Sequence, residues 1–229
     1  MTTIASNLQA VRAAMRAAAE SKGRAVGEVD LLAVSKTFPE AALREAYLAG
    51  QRRFAESYLQ EAQVKIAALQ DLDIEWHFIG PIQSNKTRTL AENFAWVHSV
   101  DRLKIAERLS AQRTPHLPPL QICVQVNISD EASKSGVSAD EAGDLARAIS
   151  QLPGLTLRGL MAVPAPSDEV IVQRAAFASL RELYDHLKEQ GLPLDTLSMG
   201  MSHDFPAAIM EGATMVRVGS AIFGNRVYQ

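Results

Sequence analysis

Lys36 is the first residue of this chain whose type and setting point to chemistry. It closes the run Val29-Asp30-Leu31-Leu32-Ala33-Val34-Ser35 and stands directly before Thr37-Phe38-Pro39-Glu40. The run reads as a buried strand. The residues after it read as a helix start, with Thr37 as N-cap, Glu40 completing a capping box and Pro39 in the first turn. In parallel α/β proteins, ligands bind where a strand hands over to a helix. Partial desolvation at such an edge lowers an amine's pKa and frees it to attack a carbonyl. The plainer alternative is a solvated strand-end lysine.

Two later segments suggest an anion site on the same side. Leu197-Ser198-Met199-Gly200-Met201-Ser202-His203-Asp204 follows a strand and opens a helix, and Thr214-Met215-Val216-Arg217-Val218-Gly219-Ser220-Ala221 carries a strand into a Gly-Ser turn. Small residues let the backbone come close to a ligand, and helix-start N–H groups attract an anion. Arg217 lies between two valines, and once buried it needs an acceptor. That acceptor is either an acidic residue in a structural ion pair or a ligand atom such as an unprotonated ring nitrogen. His77, in Glu75-Trp76-His77-Phe78-Ile79-Gly80, is either a satisfied core histidine or a base. Lys134, within Ser129 to Gly136, is a second candidate amine or part of an exposed loop.

The elements that must position these residues alternate along the chain. Strand candidates fall near 29–35, 51–56, 73–79, 94–98, 119–127, 154–161, 194–199 and 214–219. Helical stretches lie near 3–21, 38–49, 57–70, 82–91, 101–113, 138–151, 168–190 and 203–212. Ser57 to Gln60 and Ser138 to Glu141 match capping boxes, and Ser202 with Asp204 marks another first turn. About eight strand–helix alternations predict a (β/α)8 barrel preceded by a helix, with a doubly wound open sheet as the alternative. In a barrel, the loops after strands seven and eight frequently hold a phosphate.

Bulk properties narrow the function. The chain has 229 residues, 47% hydrophobic and 21% charged, with a net charge of −3. A single domain over 1–229 is expected. The acidic balance argues against nucleic acid, and no stretch is apolar enough to span a membrane. One cysteine, Cys123, sits in a strand-like setting and reads as an inert core thiol. The N-terminus lacks a secretory layout, so a cytoplasmic protein is expected. No metal-ligand cluster, nucleophile elbow or Walker loop occurs.

Taken in order, the motifs resemble the pyridoxal phosphate homeostasis proteins. The matching segments are Leu32-Ala33-Val34-Ser35-Lys36-Thr37, Trp76 through Lys86, His98-Ser99-Val100-Asp101, Asn127-Ile128-Ser129 through Gly136-Val137, Gly159-Leu160-Met161, Leu197 through Ser202 and Val216 through Gly224. The resemblance implies a TIM barrel of the alanine racemase N-terminal-domain type (fold type III), with pyridoxal 5′-phosphate (PLP) held as a Schiff base on Lys36. It implies phosphate contacts from Ser198, Met199 and Gly200 and from Gly219 and Ser220, with Arg217 facing the pyridine nitrogen. His77, Gly80 and Ser57 complete the expected cofactor-binding set. The family's usual Phe-Gly-Glu-Asn-Tyr stands here as Phe54-Ala55-Glu56-Ser57-Tyr58. Ser57 is shorter than Asn and lacks its amide, so the contact from that position should differ.

An arginine beside the ring nitrogen disfavours its protonation and weakens the ring as an electron sink. Racemases of this fold contribute a second proton-transfer group together with a C-terminal β-domain. This sequence ends at Asn225-Arg226-Val227-Tyr228-Gln229, soon after the last strand, so no such domain is expected. The expected function is storage, buffering or delivery of PLP by a monomer with no catalytic residues, with PLP-dependent apo-enzymes as recipients. Amino-acid racemisation with His77 or Lys134 as base is the alternative. A class I aldolase-type barrel acting on a phosphorylated sugar is a third reading.

Overall fold

A computed structural model of the protein describes residues 3–129 and 135–225. Lys134 lies outside the described residues. The strands are β1 (Asp30–Val34), β2 (Arg53–Glu56), β3 (Glu75–Phe78), β4 (Trp96–Val100), β5 (Leu120–Gln125), β6 (Leu155–Met161), β7 (Thr196–Ser198) and β8 (Met215–Val218). The helices are α1 (Ile4–Glu20), α2 (Glu40–Leu48), α3 (Leu59–Ala68), α4 (Thr87–Asn93), α5 (Leu103–Gln112), α6 (Ala139–Ser150), α7 (Val170–Glu189), α8 (Phe205–Met210) and α9 (Ser220–Phe223). All neighbouring strands pair in parallel, and β8 returns to β1 with Leu32 opposite Arg217, closing the barrel.

Strand alternation divides each strand between two environments. Leu31, Ala33, Phe54, Phe78, Val97, Leu160 and Val216 join the helices in the large outer core. Leu32, Val34, Ala55 and Met215 form one small cluster inside the barrel, and Trp96, Cys123 and Met161 form another. Burial pushes the Cys123 thiol up to about 12, so it stays protonated and inert. Gly159 is required in β6, because a Cβ there would lie 1.7 Å from the Thr196 carbonyl oxygen.

Helix α1 lies across the β8–β1 seam. It buries Leu8, Val11 and Met15 and packs on α2, α8 and α9. Asn7 Nδ2 donates to the Ile222 carbonyl at 2.8 Å, which ties α1 to α9.

Two of the expected helix caps differ from the sequence reading. The N-cap of α2 is Pro39, not Thr37, and that of α3 is Tyr58, not Ser57; neither makes a side-chain cap bond. Among the described residues, Thr37 is the one non-glycine with left-handed backbone, φ 71°. That turn carries its N–H away from α2 to Glu61 Oε1 at 2.5 Å. The box at α6 forms as expected, with Ser138 Oγ accepting from the Glu141 N–H. Helix α8 is capped at Asp204, whose carboxylate accepts from the Met201 N–H at 2.6 Å, while Ser202 faces the β8 turn.

Candidate functional site

At the C-terminal ends of the strands lies a cavity of about 290 Å³. Lys36 reaches it from the end of β1, Ser57 from β2, Arg217 from β8, and Gly219 and Ser220 from the turn after β8. Val34, Ile79, Met161 and Val163 supply an apolar wall, and Met201, Ser202 and His203 close the side under β7. The Lys36 ammonium stands 6.0 Å from the Tyr58 ring centroid.

A buried network anchors the segment that carries Lys36. Ser35 Oγ donates to Glu56 Oε1 at 2.6 Å, and Lys65 Nζ donates to the Ser35 carbonyl and to Glu56 Oε1, both at 2.7 Å. Lys65 also pairs with Glu61 at 2.5 Å, the same carboxylate that receives the Thr37 N–H. The left-handed Thr37 is thus held by Glu61, which Lys65 fixes in turn. Burial pushes the Glu56 carboxyl up, with the Lys65 charge opposing.

Ser202 organises the turn after β8. Its Oγ accepts from the Gly219 N–H at 3.2 Å and the Ala221 N–H at 3.4 Å. Ser202 and Gly219 both line the cavity, with Lys36 and Arg217, so this hydroxyl gathers two backbone N–H groups at its edge. Gly219 fits closely, since a Cβ would stand 3.2 Å from the Val34 carbonyl oxygen.

Arg217 is 3% exposed. Its Nη1 donates to the Ser198 carbonyl at 2.5 Å and to Ser198 Oγ at 2.9 Å, and its Nη2 donates to the Ala162 carbonyl at 2.8 Å. Burial lowers its pKa to about 10, which still leaves it cationic at neutral pH. Its acceptors are carbonyls and a hydroxyl, and no acidic residue pairs with it among the described residues.

The remaining expected residues stand behind the cavity rather than on its wall. Ser198 holds Arg217, Met199 is fully buried in the outer core, and Gly200 accepts the Arg217 backbone N–H at 2.9 Å. The side chains that reach the cavity from this loop are Met201 and Ser202, because β7 ends at Ser198 and the chain turns at Gly200, φ 91°. Gly80 also acts indirectly: a Cβ there would sit 2.1 Å from the Ser57 carbonyl oxygen, so its absence lets the β2 and β3 ends come together. His77 is fully buried within the barrel, bonded to Glu75 and His98. Sequence reasoning missed Ser202 as a cavity residue. Its signal lies in the Ser-Met-Gly-Met-Ser string, an anion-site segment in which the resemblance points to Ser198, Met199 and Gly200 instead.

Comparison with known proteins agrees with this geometry. The model of the alanine racemase N-terminal domain matches residues 4–227. The pyridoxal phosphate homeostasis protein of Pseudomonas aeruginosa is 61% identical over 228 residues, covering 100% of this chain and 98% of that one. The protein of the same name from Escherichia coli K12 is 52% identical over 238 residues, covering 100% and 99%. Among solved structures, PipY of Synechococcus elongatus with PLP bound superposes with a TM-score of 0.85 at 39% identity, covering 97% of this chain and 100% of that one. With a closed parallel barrel and relatives matched along nearly their full length, the chain belongs to the alanine racemase N-terminal domain family and, within it, to the pyridoxal phosphate homeostasis proteins.

Proposed function

We propose that this protein binds PLP in the C-terminal cavity and stores, buffers and delivers it to PLP-dependent apo-enzymes, without a turnover reaction of its own. The observation that carries the reading is the convergence of Lys36, Arg217, Ser202, Gly219 and Ser220 on one small cavity with an apolar wall. That donor set fits a planar phosphorylated aldehyde: an amine for the carbonyl carbon, N–H and O–H donors for the phosphate, a guanidinium for a ring acceptor and aliphatic walls for the ring faces. PLP supplies an aldehyde that condenses reversibly with amines. Lys36 would hold it through that carbon, and reversible attachment suits a carrier. Arg217, a permanent donor, would recognise the ring nitrogen in its unprotonated form.

The non-catalytic reading is supported by the titratable groups on the cavity. Besides Lys36 and Arg217, the only other among its described lining residues is His203, which is solvent-exposed. An exposed imidazole is poorly placed to hold a proton away from water.

Borohydride reduction of the PLP-loaded protein, followed by peptide mass spectrometry, tests the assignment. A pyridoxyl group on Lys36 is expected, and Lys36→Ala should abolish it. A pyridoxyl group elsewhere, or none, would overturn the site. Loss of α-deuterium from added amino acids at enzyme-like rates would overturn the non-catalytic reading and favour racemisation.

A further inference from the structure

A single file of polar side chains runs through the barrel interior behind the cavity. From Arg217, Ser198 Oγ lies 2.9 Å from His98 Nδ1, His98 Nε2 lies 2.9 Å from His77 Nδ1, and His77 Nε2 lies 2.9 Å from Glu75 Oε1. Ser198, His98 and His77 are fully buried. Both imidazoles pack against the Trp96 indole, His77 nearly parallel to it at 5.4 Å and His98 tilted at 5.6 Å. Glu75 sits at the opposite rim, where it also accepts from Arg53 Nε at 3.0 Å.

The carboxylate end, with both imidazoles neutral, fixes the hydrogens of this file. A guanidinium only donates and a carboxylate only accepts. Glu75 accepts from His77 Nε2–H, and a neutral His77 then presents a bare Nδ1 that accepts from His98 Nε2–H. The bare His98 Nδ1 takes the Ser198 O–H, while Ser198 Oγ accepts from Arg217 Nη1. Burial lowers the pKa of both histidines, in agreement with neutral rings. A reversed direction would require His77 to carry protons on both nitrogens.

We propose that Ser198, His98, His77 and Glu75 are positioning residues for Arg217: they form a one-directional hydrogen-bond chain that locks both imidazoles as Nε2–H tautomers and holds the guanidinium at the cavity wall. The chain gives Ser198 a fixed orientation, with its lone pairs toward Arg217 and its proton away from it. Arg217 is thereby anchored by a hydroxyl that cannot turn to compete as a donor. A residue on the far rim, Glu75, sets the geometry of a residue on the ligand rim. The inference rests on the reading that the cavity takes PLP with Arg217 toward its ring.

The test has a ligand-free arm and a ligand arm. In the PLP-free protein at neutral pH, 15N NMR of the histidines should show His77 and His98 each with a protonated Nε2 and a bare Nδ1. Glu75→Leu removes the terminal acceptor from a half-buried rim position. It should abolish the fixed tautomer pattern and weaken PLP binding about tenfold. Glu75→Gln keeps an acceptor oxygen and should restore both. If Glu75→Leu fails to fold, Ser198→Ala cuts the chain at its other end and should likewise weaken PLP binding. A His77 protonated on both nitrogens, or PLP affinity unchanged in Glu75→Leu and in Ser198→Ala, would overturn the chain. So would a Glu75→Gln variant as impaired as Glu75→Leu. If the wild-type protein takes up no PLP, the reading of the cavity fails, while the ligand-free spectra still decide the chain.

Discussion

The clefts at the N-terminal ends of the strands, of about 620 and 510 Å³, exceed the cavity of about 290 Å³ at the other end, yet several of their charges pair with one another. Arg53 bridges Asp30 and Glu75, Arg158 pairs with Asp195 and stacks over Trp96, and Arg12 donates to the Ala49 carbonyl and Gln51. At the C-terminal rim the pattern is different. There the buried ion pair, Glu56 with Lys65, lies behind the wall, while Arg217 has only carbonyl and hydroxyl partners and two backbone N–H groups meet a serine hydroxyl at the void. Volume alone would select the other end of this barrel. What marks a site is donors arranged around a void with apolar walls, rather than donors that have already found carboxylates.

This contrast can be broken most directly by Lys65→Met. Removing the partner strands the Glu56 carboxylate in the interior, which should cost about 3–5 kcal/mol of stability in urea unfolding. A loss below about 1 kcal/mol would mean that the network beneath Lys36 carries little. Next in size, Ser202→Ala should raise the PLP dissociation constant about tenfold in equilibrium dialysis, by removing a hydroxyl from the cavity edge. Stability should change little. At the opposite rim, Arg158→Ala breaks a half-exposed ion pair and should cost no more than about 1 kcal/mol. PLP affinity should stay at the wild-type value, and a weakening comparable to Ser202→Ala would erase the distinction between the rims. The smallest effect concerns acid. Glu75 titrates below its ordinary value of 4.5, chiefly because it accepts from His77, with burial opposing. A carboxyl depressed in the folded state lends stability that is present above 4.5 and lost as pH falls through the lower folded value. Glu75→Gln should therefore flatten the acid limb of the stability–pH curve below 4.5, as read from urea midpoints.

The barrel was legible in the sequence because strand-like and helical stretches alternate about eight times along it, with β1, β5 and β6 largely apolar. Lys36 and Arg217 were legible for a related reason: an ionisable residue at the end of, or inside, an apolar run has few places to go. What was not legible were pairings across long separations. Thr37 looked like a cap because its local string fits one. Glu61, 24 residues away, instead takes its N–H, and the chain turns left-handed to reach it. Ser198 looked like a phosphate ligand because it sits in a Gly-Ser loop. Yet its hydroxyl meets His98, 100 residues away, and Arg217. His77 read as either core or base, and its partner on the next strand became visible only once the barrel had closed. Local strings specify elements; the side-chain network is specified by their assembly.

The seam covered by α1 has a consequence for how the chain is made. The helix leaves the ribosome well before α8 and α9, on which it packs, and before β8, which closes the barrel onto β1. At about 5–20 residues per second, close to 200 residues of synthesis separate them, or about 10–40 s. Throughout that interval Leu8, Val11 and Met15 lack much of their final cover. A segment made early is thus protected late, and exposure to chaperones and proteases should persist at α1 until β8 and α9 have emerged.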